Sequence, residues 1–354
     1  VHHGPQHRFF ANLGAPIKEK HVLDGFFHDT LGERDRAQAM THIRRFVLER
    51  FAQPAAALDL RASDQRGHSF DEARALAQPL PALSPRGMFW RGYRAGLKLA
   101  SRVSDGIRLG FETGFDSGST LDYVYRDRPA GRGPLGRMID RHYLDAIGWR
   151  GIRQRKRHLQ ELIHRTLDRL HADGQPLQIV DIAAGHGRYV IDALETSSHA
   201  AVSARLRDYS ALNVREGQGL IAAKGLQARV GFEQGDAFDA DSVAAVAPRP
   251  SLGIVSGLYE LFPDNGMLER SLAGLAKAVL PGGYLIYTGQ PWHPQLEMIA
   301  RALTSHRGGQ AWVMRRRSQQ ELDQLVAAAG FEKLEQRIDE WGIFTVSVAR
   351  RLPA

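Results

Sequence analysis

The fold is decided by the stretch Leu177-Gln-Ile-Val-Asp-Ile-Ala-Ala-Gly-His-Gly-Arg-Tyr189. Ile179, Val180 and Ile182 predict a short buried strand, and the small residues at 183–187 predict a tight turn before a helix. Small side chains let the backbone approach a ligand closely, and the start of a helix offers free N–H groups. This strand, turn and helix therefore predict a cradle for a nucleotide-type cofactor.

Strands and helices alternate from Pro176 onward, which predicts a parallel sheet flanked by helices. The capping-box pattern Ser318-Gln-Gln-Glu321 predicts the start of a late helix, with both side chains bonded to free backbone N–H groups. Phe344, Val346 and Val348 alternate with polar residues near the end of the chain. We expect this last strand in the edge region of the sheet.

These elements resemble, in their order, the class I S-adenosylmethionine-dependent methyltransferases. The glycine motif of that family corresponds to Asp181-x-Ala183-x-Gly185-x-Gly187, with Ala183 in place of a glycine. The later matches are Arg207–Ser210, Val230–Phe238, Leu252–Phe262 and the Pro-Gly-Gly turn of Leu280–Tyr287. The resemblance covers about residues 171–354, and it implies an α/β Rossmann-like sheet of seven strands whose last strand is antiparallel.

The resemblance also implies S-adenosylmethionine as the cofactor, with Asp208 on the ribose hydroxyls and Asp236 on the adenine amino group. The expected cofactor-binding residues are Asp181, Ala183, Ala184, Gly185, Gly187, Asp208, Tyr209, Asp236, Ala237 and Ser256. Asp208 as a helix cap and Asp236 as a turn residue stay open as alternatives. A nicotinamide dehydrogenase is the nearest competing class, but its Gly-x-Gly-x-x-Gly fingerprint differs from the sequence at 185–190.

A catalytic base is needed only when the attacking atom of the acceptor must lose a proton. Glu260 and Tyr259, after the fourth strand, and Tyr123, in the segment before the first strand, are the candidates that we name as catalytic. Tyr143, Asp264 and His293 are further candidates for the pocket or for a base. A structural role, as a packing aromatic or a capping carboxylate, is the alternative for each of them.

The charge of +8 in this chain of 354 residues is concentrated in residues 85–170, which hold 18 Lys and Arg against 9 Asp and Glu. Met88–Phe111 predicts one basic amphipathic helix. This helix could contact a membrane surface, bind an acidic substrate or pack between domains, and the sequence leaves these three roles open. Nucleic acid is not expected as a partner, because no known reader motif accompanies the charge. The chain has no cysteine, which excludes thiolate metal sites, and we expect no metal.

Residues 1–52 resemble the end of an α/β-hydrolase of the monoacylglycerol-lipase type, in which His28 would be the base of the triad. The sequence contains no Gly-x-Ser-x-Gly nucleophile motif, so we expect a remnant without hydrolase activity. Residues 53–85 are predicted as a linker, 86–170 as a helical or lid extension, and 171–354 as the methyltransferase domain. The pattern resembles a bacterial family of methyltransferases fused to a lipase-like hydrolase.

The functional prediction is therefore methyl transfer to a small-molecule or lipid-like acceptor. A catalytically idle Rossmann module that docks on membranes, and an NAD(P)-dependent dehydrogenase, are the alternatives. No apolar run approaches the ~20 residues that span a bilayer. With no cysteine in the chain, we expect a cytoplasmic protein, with peripheral contact at the inner membrane face as an option.

Overall fold

The computed structural model describes residues 3–53 and 58–353, which form two compact units divided between Leu58 and Asp59. The first unit contains helices α1 (His3–Asn12) and α2 (Arg36–Ala52). Residues 18–23, between these two helices, form no strand. His28 is exposed in the connection between the two helices. The resemblance to a hydrolase stays a prediction.

The second unit begins with a helical part, followed by a sheet with flanking helices. The helices of the first part are α3 (His68–Ala77), α4 (Pro85–Ala100), α5 (Asp105–Thr113), α6 (Gly118–Arg126), α7 (Gly133–Leu144) and α8 (Ile147–Ala172). The sheet part contains β1 (Gln178–Asp181), α9 (Arg188–Glu195), β2 (Ser203–Asp208), α10 (Ala211–Ala223), β3 (Val230–Gln234), α11 (Ala240–Ala244), β4 (Leu252–Val255), α12 (Asn265–Ala278), β5 (Tyr284–Gly289), α13 (Leu296–Ala302), α14 (Gln319–Ala328), β6 (Phe331–Ile338) and β7 (Thr345–Arg351). Among the described residues, no helix is both long and apolar enough to cross a bilayer.

The sheet has seven strands in the order β3-β2-β1-β4-β5-β7-β6. Strands β1 to β5 are parallel, and β7 is antiparallel to both of its neighbours. This confirms the predicted α/β Rossmann-like sheet with an antiparallel last strand. Because β1 lies between β2 and β4, the chain leaves β1 and β4 in opposite directions across the sheet. Crevices at the carboxyl ends of strands form at such switch points.

The last strand lies in the edge region of the sheet, as expected, where β7 is the next-to-last strand and β6 forms the edge itself. Thr345 and Ser347 are buried, and the side chain of Gln319 satisfies both hydroxyls. Thr345 Oγ1 donates to Gln319 Oε1 at 2.6 Å, and Gln319 Nε2 donates to Ser347 Oγ at 3.4 Å. These alternating polar residues are buried because a neighbouring helix supplies their hydrogen-bond partners.

The linker prediction is wrong for residues 59–85, which belong to the second unit and contain α3. Arginines from far along the chain hold this helix. Arg301 donates to the carbonyl oxygen of Ala75 at 3.2 Å, and Arg316 pairs with Glu72 at 2.6 Å. Composition rich in alanine and proline does not reveal partners that lie more than two hundred residues away.

The single helix expected over 88–111 is also wrong, because two helices, α4 and α5, occupy this segment. Ser104 separates them. Its side chain accepts a hydrogen bond from the backbone N–H of Ile107 at 3.2 Å and so begins α5, and its hydroxyl donates to Asp140 at 2.5 Å. The apolar residues expected on one stripe therefore lie on two differently directed helices.

Candidate functional site

The turn after β1 has the backbone conformation that its glycines permit. Gly185 and Gly187 have φ angles of +60° and +73°, in the left-handed region that favours glycine. A Cβ atom at Gly187 would lie 2.4 Å from Leu206 Cδ1, so the turn also packs too closely against β2 for a side chain. The start of α9 therefore lies directly against the carboxyl ends of the central strands.

A cavity of about 620 Å³ lies at this edge of the sheet. Nine of the ten expected cofactor-binding residues line it, namely Ala183, Ala184, Gly185, Gly187, Asp208, Tyr209, Asp236, Ala237 and Ser256. The two carboxylates follow β2 and β3, which are neighbours in the sheet, so their side chains reach the same cavity. Tyr209 is 76% exposed at its rim, and Ser256 is buried.

Asp208 connects the turn to the end of β2. One of its carboxylate oxygens accepts from the backbone N–H of Gly185, and the other accepts from the N–H of Ser210 and from Asn213 Nδ2, each at 2.9 Å. Burial raises the pKa of Asp208 above its ordinary value, although these hydrogen bonds oppose the rise. Ser210, and not Asp208, caps α10, so the capping alternative is wrong.

Asp181 does not line the cavity and lies completely buried beneath the turn. Its carboxylate accepts hydrogen bonds from the Tyr189 hydroxyl and from the backbone N–H of Ala183. Burial raises the pKa of Asp181 to about 7, against the effect of both hydrogen bonds. Asp181 thus supports the turn from below and does not face a ligand.

Asp181→Asn should stabilise the protein more at high pH than at low pH. The raised pKa means that the folded chain binds a proton that the unfolded chain has lost, so stability falls as pH rises from about 4 to about 7 and then levels off. Asparagine removes this penalty, and its advantage should grow by about 2 kcal/mol between about pH 5 and about pH 8. Urea unfolding across this range checks it.

Asp241→Asn, at a carboxylate whose side chain is 96% exposed, is the control and should leave the pH dependence as in the wild type. The free energies of unfolding of the wild type and Asp181→Asn could instead differ by the same amount at all pH values. That result would show that burying the charged carboxylate does not destabilise the protein.

The helical part of the unit contributes residues to the cavity that the sequence did not indicate. Ser119 and Asp122 of α6 lie against the turn, where Ser119 Oγ is 3.2 Å from His186 Nε2 and Asp122 pairs with Arg188. His306, after α13, lines the same cavity, and its ring and backbone N–H both contact Asp116. These residues carry no motif: Ser119 and Asp122 reach the cavity because α6 packs onto the turn, and His306 reaches it through its contacts with Asp116.

A second cavity, of about 450 Å³, adjoins the first, and both are lined by Asp116, Leu121, Gly257 and Leu261. The lining of the second cavity is mostly apolar and comes from α4, α5, α7, α8 and the segments after β4 and β5. Its aromatic side chains include Phe115, Tyr143, Trp149, Trp312 and Phe344. Tyr143 is therefore at a cavity, as expected for a pocket residue. The molecule can thus hold two ligands side by side.

Glu260 lines the second cavity, and its side chain is buried. Oε1 accepts from Thr288 Oγ1 at 2.8 Å and lies 3.6 Å from Arg155 Nη1. Oε2 has no hydrogen-bond partner among the described residues. Arg155, which the sequence did not indicate, also lines this cavity and stacks on the ring of Phe344.

His293 lines the second cavity from the segment after β5. Its Nδ1 accepts from the backbone N–H of Gln295 at 3.0 Å, and burial lowers the pKa of His293 to about 4. The ring is therefore neutral at pH 7, with its proton on Nε2. In this state Nε2 donates a hydrogen bond and cannot accept a proton.

The two tyrosines expected to be catalytic line neither cavity. The hydroxyl of Tyr123 donates to buried Asp140. The hydroxyl of Tyr259 donates to Ser271 Oγ of α12 at 3.0 Å, in the core. Burial raises the pKa of both phenols above the ordinary value. We assign them structural roles, because neither can reach a ligand in the cavities. Asp264 caps α12.

The loop between β4 and α12, which carries Glu260, is held by a buried ionic network. Arg317 donates to the carbonyl oxygens of Tyr259 at 2.6 Å and Phe262 at 3.0 Å. Glu321 pairs with Arg315 at 2.7 Å and lies 3.6 Å from Arg317. The capping box is therefore half confirmed, because the Ser318 hydroxyl accepts from the N–H of Glu321 but the carboxylate joins this network.

Comparison with known sequences decides the family. Residues 43–351 match a protein family described as "Putative methyltransferase". The chain belongs to this family. The description of the family names methyl transfer as the reaction class and names no acceptor. Among the described residues, no cluster of three or more His, Asp or Glu side chains could hold a metal ion.

The chain is 55% identical over 351 residues to the "Uncharacterized protein YnbC" of Escherichia coli (strain K12). The alignment covers 99% of this chain and 60% of that protein, so the chain spans about 60% of the relative's length. A possible exported protein from Bordetella parapertussis has a similar fold, with a TM-score of 0.59 and 15% identity over 82% of this chain and 99% of that one.

A magnesium protoporphyrin IX methyltransferase from Synechocystis PCC 6803, with bound SAH, matches more loosely. It has a TM-score of 0.45 and 14% identity over 68% of this chain and 97% of that chain.

Proposed function

We propose that this chain is a class I S-adenosylmethionine-dependent methyltransferase that transfers a methyl group to a small-molecule or lipid-like acceptor. The observation that carries the proposal is the single cavity in which the glycine turn at 183–187 meets the carboxylates of Asp208 and Asp236. Family membership supports the reaction class. The adjoining apolar cavity supports the acceptor class.

The residues in the first cavity fit the cofactor in chemistry. A ribose hydroxyl can donate to Asp208 Oδ2, because three donors occupy three of the roughly four acceptor sites of this carboxylate and Oδ2 accepts only from Gly185. Asp236 Oδ1 accepts from the N–H of Phe238 at 2.8 Å, and its other oxygen has no partner within the described part of the chain, which leaves it for an amino group of adenine. The buried hydroxyl of Ser256 likewise lacks a partner there.

The cofactor, when bound, supplies an electrophilic methyl group, and the chain supplies alignment. Holding two reactants at near-contact distance can lower a barrier by about 7–11 kcal/mol. The residues that line both cavities, such as Gly257 and Leu261, form the boundary where the two ligands would meet.

Glu260 and His293 would act on the acceptor in the second cavity. Glu260 Oε2 offers an acceptor for a hydroxyl or amino hydrogen, and it would take the proton where the attacking atom must lose one. The neutral His293, with its proton on Nε2, would donate to an oxygen of the acceptor and orient it. Apolar walls favour an acceptor whose body is hydrophobic.

Calorimetric titration with S-adenosylhomocysteine tests the cofactor, and saturable binding to the folded chain is expected. The absence of binding would overturn the proposal, and the idle-module alternative would then stand. A fluorescence titration with NADPH and NADH should show no binding, since a positive result would favour the dehydrogenase. Mass spectrometry of a lipid and metabolite extract, after incubation with methyl-labelled cofactor, should then identify the acceptor by its mass shift.

Ala146→Leu should raise the KM for the acceptor while leaving the affinity for S-adenosylhomocysteine unchanged. Ala146 precedes α8 and lines the second cavity only, so a larger side chain narrows that cavity. Ala172→Leu, at the exposed far end of the same helix, is the matched control. Equal kinetics for both variants would argue that the acceptor binds elsewhere.

A further inference from the structure

Helix α4 presents an apolar stripe to solvent. Met88, Gly92, Ala95 and Leu99 recur at helical spacing, and all four are exposed, Met88 by 57% and Leu99 by 63%. The apolar stripe of a surface helix ordinarily faces the core of its own domain. Contiguous exposed apolar surface of this kind marks a site for binding another molecule or a membrane.

A different stripe of α4 makes the contacts with the rest of the unit. The indole N–H of Trp90 donates to Glu297 Oε1 at 3.1 Å, and Arg86 pairs with the same carboxylate at 2.6 Å. Leu97 and Ala100 line the second cavity. The exposed stripe is therefore not needed to hold α4 in place.

The charges beside the exposed stripe are all positive. Residues 85–102 contain five basic residues and no Asp or Glu. Arg91, Lys98 and Arg102 recur along one flank of the stripe and are exposed, while Phe89 and Tyr93 lie along the other flank. An apolar face bordered by cations and aromatic rings is typical of helices that lie in the interface of an anionic bilayer.

Exposed apolar residues also lie on α7, whose start is bonded to the segment after α4, and the second cavity extends to α4. The N–H of Arg132, just before α7, donates to the carbonyl oxygen of Val103 at 2.7 Å, which joins the start of α7 to the segment after α4. Leu135 and Met138 of α7 are 60% and 63% exposed. Tyr93 lines the second cavity and is 41% exposed, so this cavity opens beside α4.

We propose that the exposed stripe of α4 docks on the surface of an anionic lipid bilayer, with Met88 and Leu99 inserted among the acyl chains. Arg91, Lys98 and Arg102 would lie at the level of the headgroups. The second cavity, which Tyr93, Leu97 and Ala100 of α4 line, then lies close to the bilayer, so a lipid-like acceptor has a short path to it. Only this last step rests on the proposed function, and docking itself does not require methyl transfer.

Flotation of the full chain with phosphatidylcholine vesicles that contain phosphatidylglycerol tests the docking. The wild type should float with these vesicles at low salt, and much less with vesicles of phosphatidylcholine alone. Met88→Ser with Leu99→Ser should lower vesicle affinity by about tenfold or more, because both side chains lose burial in the interface. Arg91→Gln with Lys98→Gln should lower it by about 20-fold.

Two control variants match these substitutions away from α4. Leu334→Ser with Ile338→Ser changes exposed apolar residues of β6, and Arg215→Gln with Arg270→Gln removes two exposed charges. Both should float as the wild type does. Titration with S-adenosylhomocysteine is a separate measurement, so failure of the proposed function and failure of docking are distinguishable.

Wild-type protein that stays unbound at low salt would overturn the docking proposal, as would equal loss of flotation in the α4 and control variants. A dimer of the wild type that Met88→Ser with Leu99→Ser converts to monomer, without vesicle binding, would assign this surface to a second copy of the chain and also overturn it.

Discussion

Asp208→Asn is expected to weaken the binding of S-adenosylhomocysteine by about 100-fold or more. All partners of the carboxylate are donors, from Gly185, Ser210 and Asn213, so either orientation of an asparagine amide places an N–H group against another donor. Hydrogen bonds to a charged group contribute about 1.5–3 kcal/mol each, so loss of the ribose partner together with disturbance of the turn at Gly185 accounts for this factor. Calorimetric titration of the variant measures the loss.

Asp239→Asn is the matched control, because Asp239 caps α11 through Ser242 and does not line the cavity. Its affinity for S-adenosylhomocysteine should equal that of the wild type. Wild-type affinity in a folded Asp208→Asn variant would remove this carboxylate from the cofactor site, even if the wild type itself binds the cofactor.

Glu321→Gln is expected to lower the free energy of unfolding by about 3–5 kcal/mol, the usual range for removing one partner of a buried ion pair. Glu321, Arg315 and Arg317 are all buried, and the carboxylate accepts from Arg315 and from Asn265 Nδ2 at 2.7 Å. Burial and the charge of Arg315 already lower the pKa of Arg317 to about 10. Without the carboxylate, two buried guanidinium groups face each other.

The same substitution should disturb the loop that carries Glu260, because Arg317 holds the carbonyl oxygens of that loop. Urea unfolding measures the stability. Glu161→Gln, at a carboxylate whose side chain is 47% exposed and bonded to Arg337, is the control and should change stability by less than about 1 kcal/mol. A similar small change for Glu321→Gln would show that the network is dispensable.

The first cavity could be predicted largely from the sequence, since each of its main residues lies at the end of a recognisable strand. Asp208 and Asp236 follow two consecutive strands of a parallel sheet, and the carboxyl ends of such strands meet at one edge. Asp181 shows the limit of this reasoning. Like Asp208 it is the last residue of its strand, yet it lies buried below the turn and does not line the cavity.

The candidates around the second cavity were predicted less well. Tyr259 and Glu260 are adjacent in an irregular loop, and only Glu260 lines the cavity. Tyr123 lines neither cavity, because its hydroxyl donates a hydrogen bond to Asp140 of another helix, α7. Arg155 carries no motif, and its position against the cavity depends on how the long helix α8 packs on the sheet.

Local pattern was enough for the order of strands, the glycine turn and the carboxylates at the strand ends, because chain direction and side-chain periodicity dictate where these groups emerge. Tertiary structure alone decided which of two adjacent side chains in a loop lines a cavity. It also decided where α4 ends and α5 begins, and which face of α4 is exposed. These outcomes depend on partners far away in the chain, and the free energy of packing against those partners outweighs local preference.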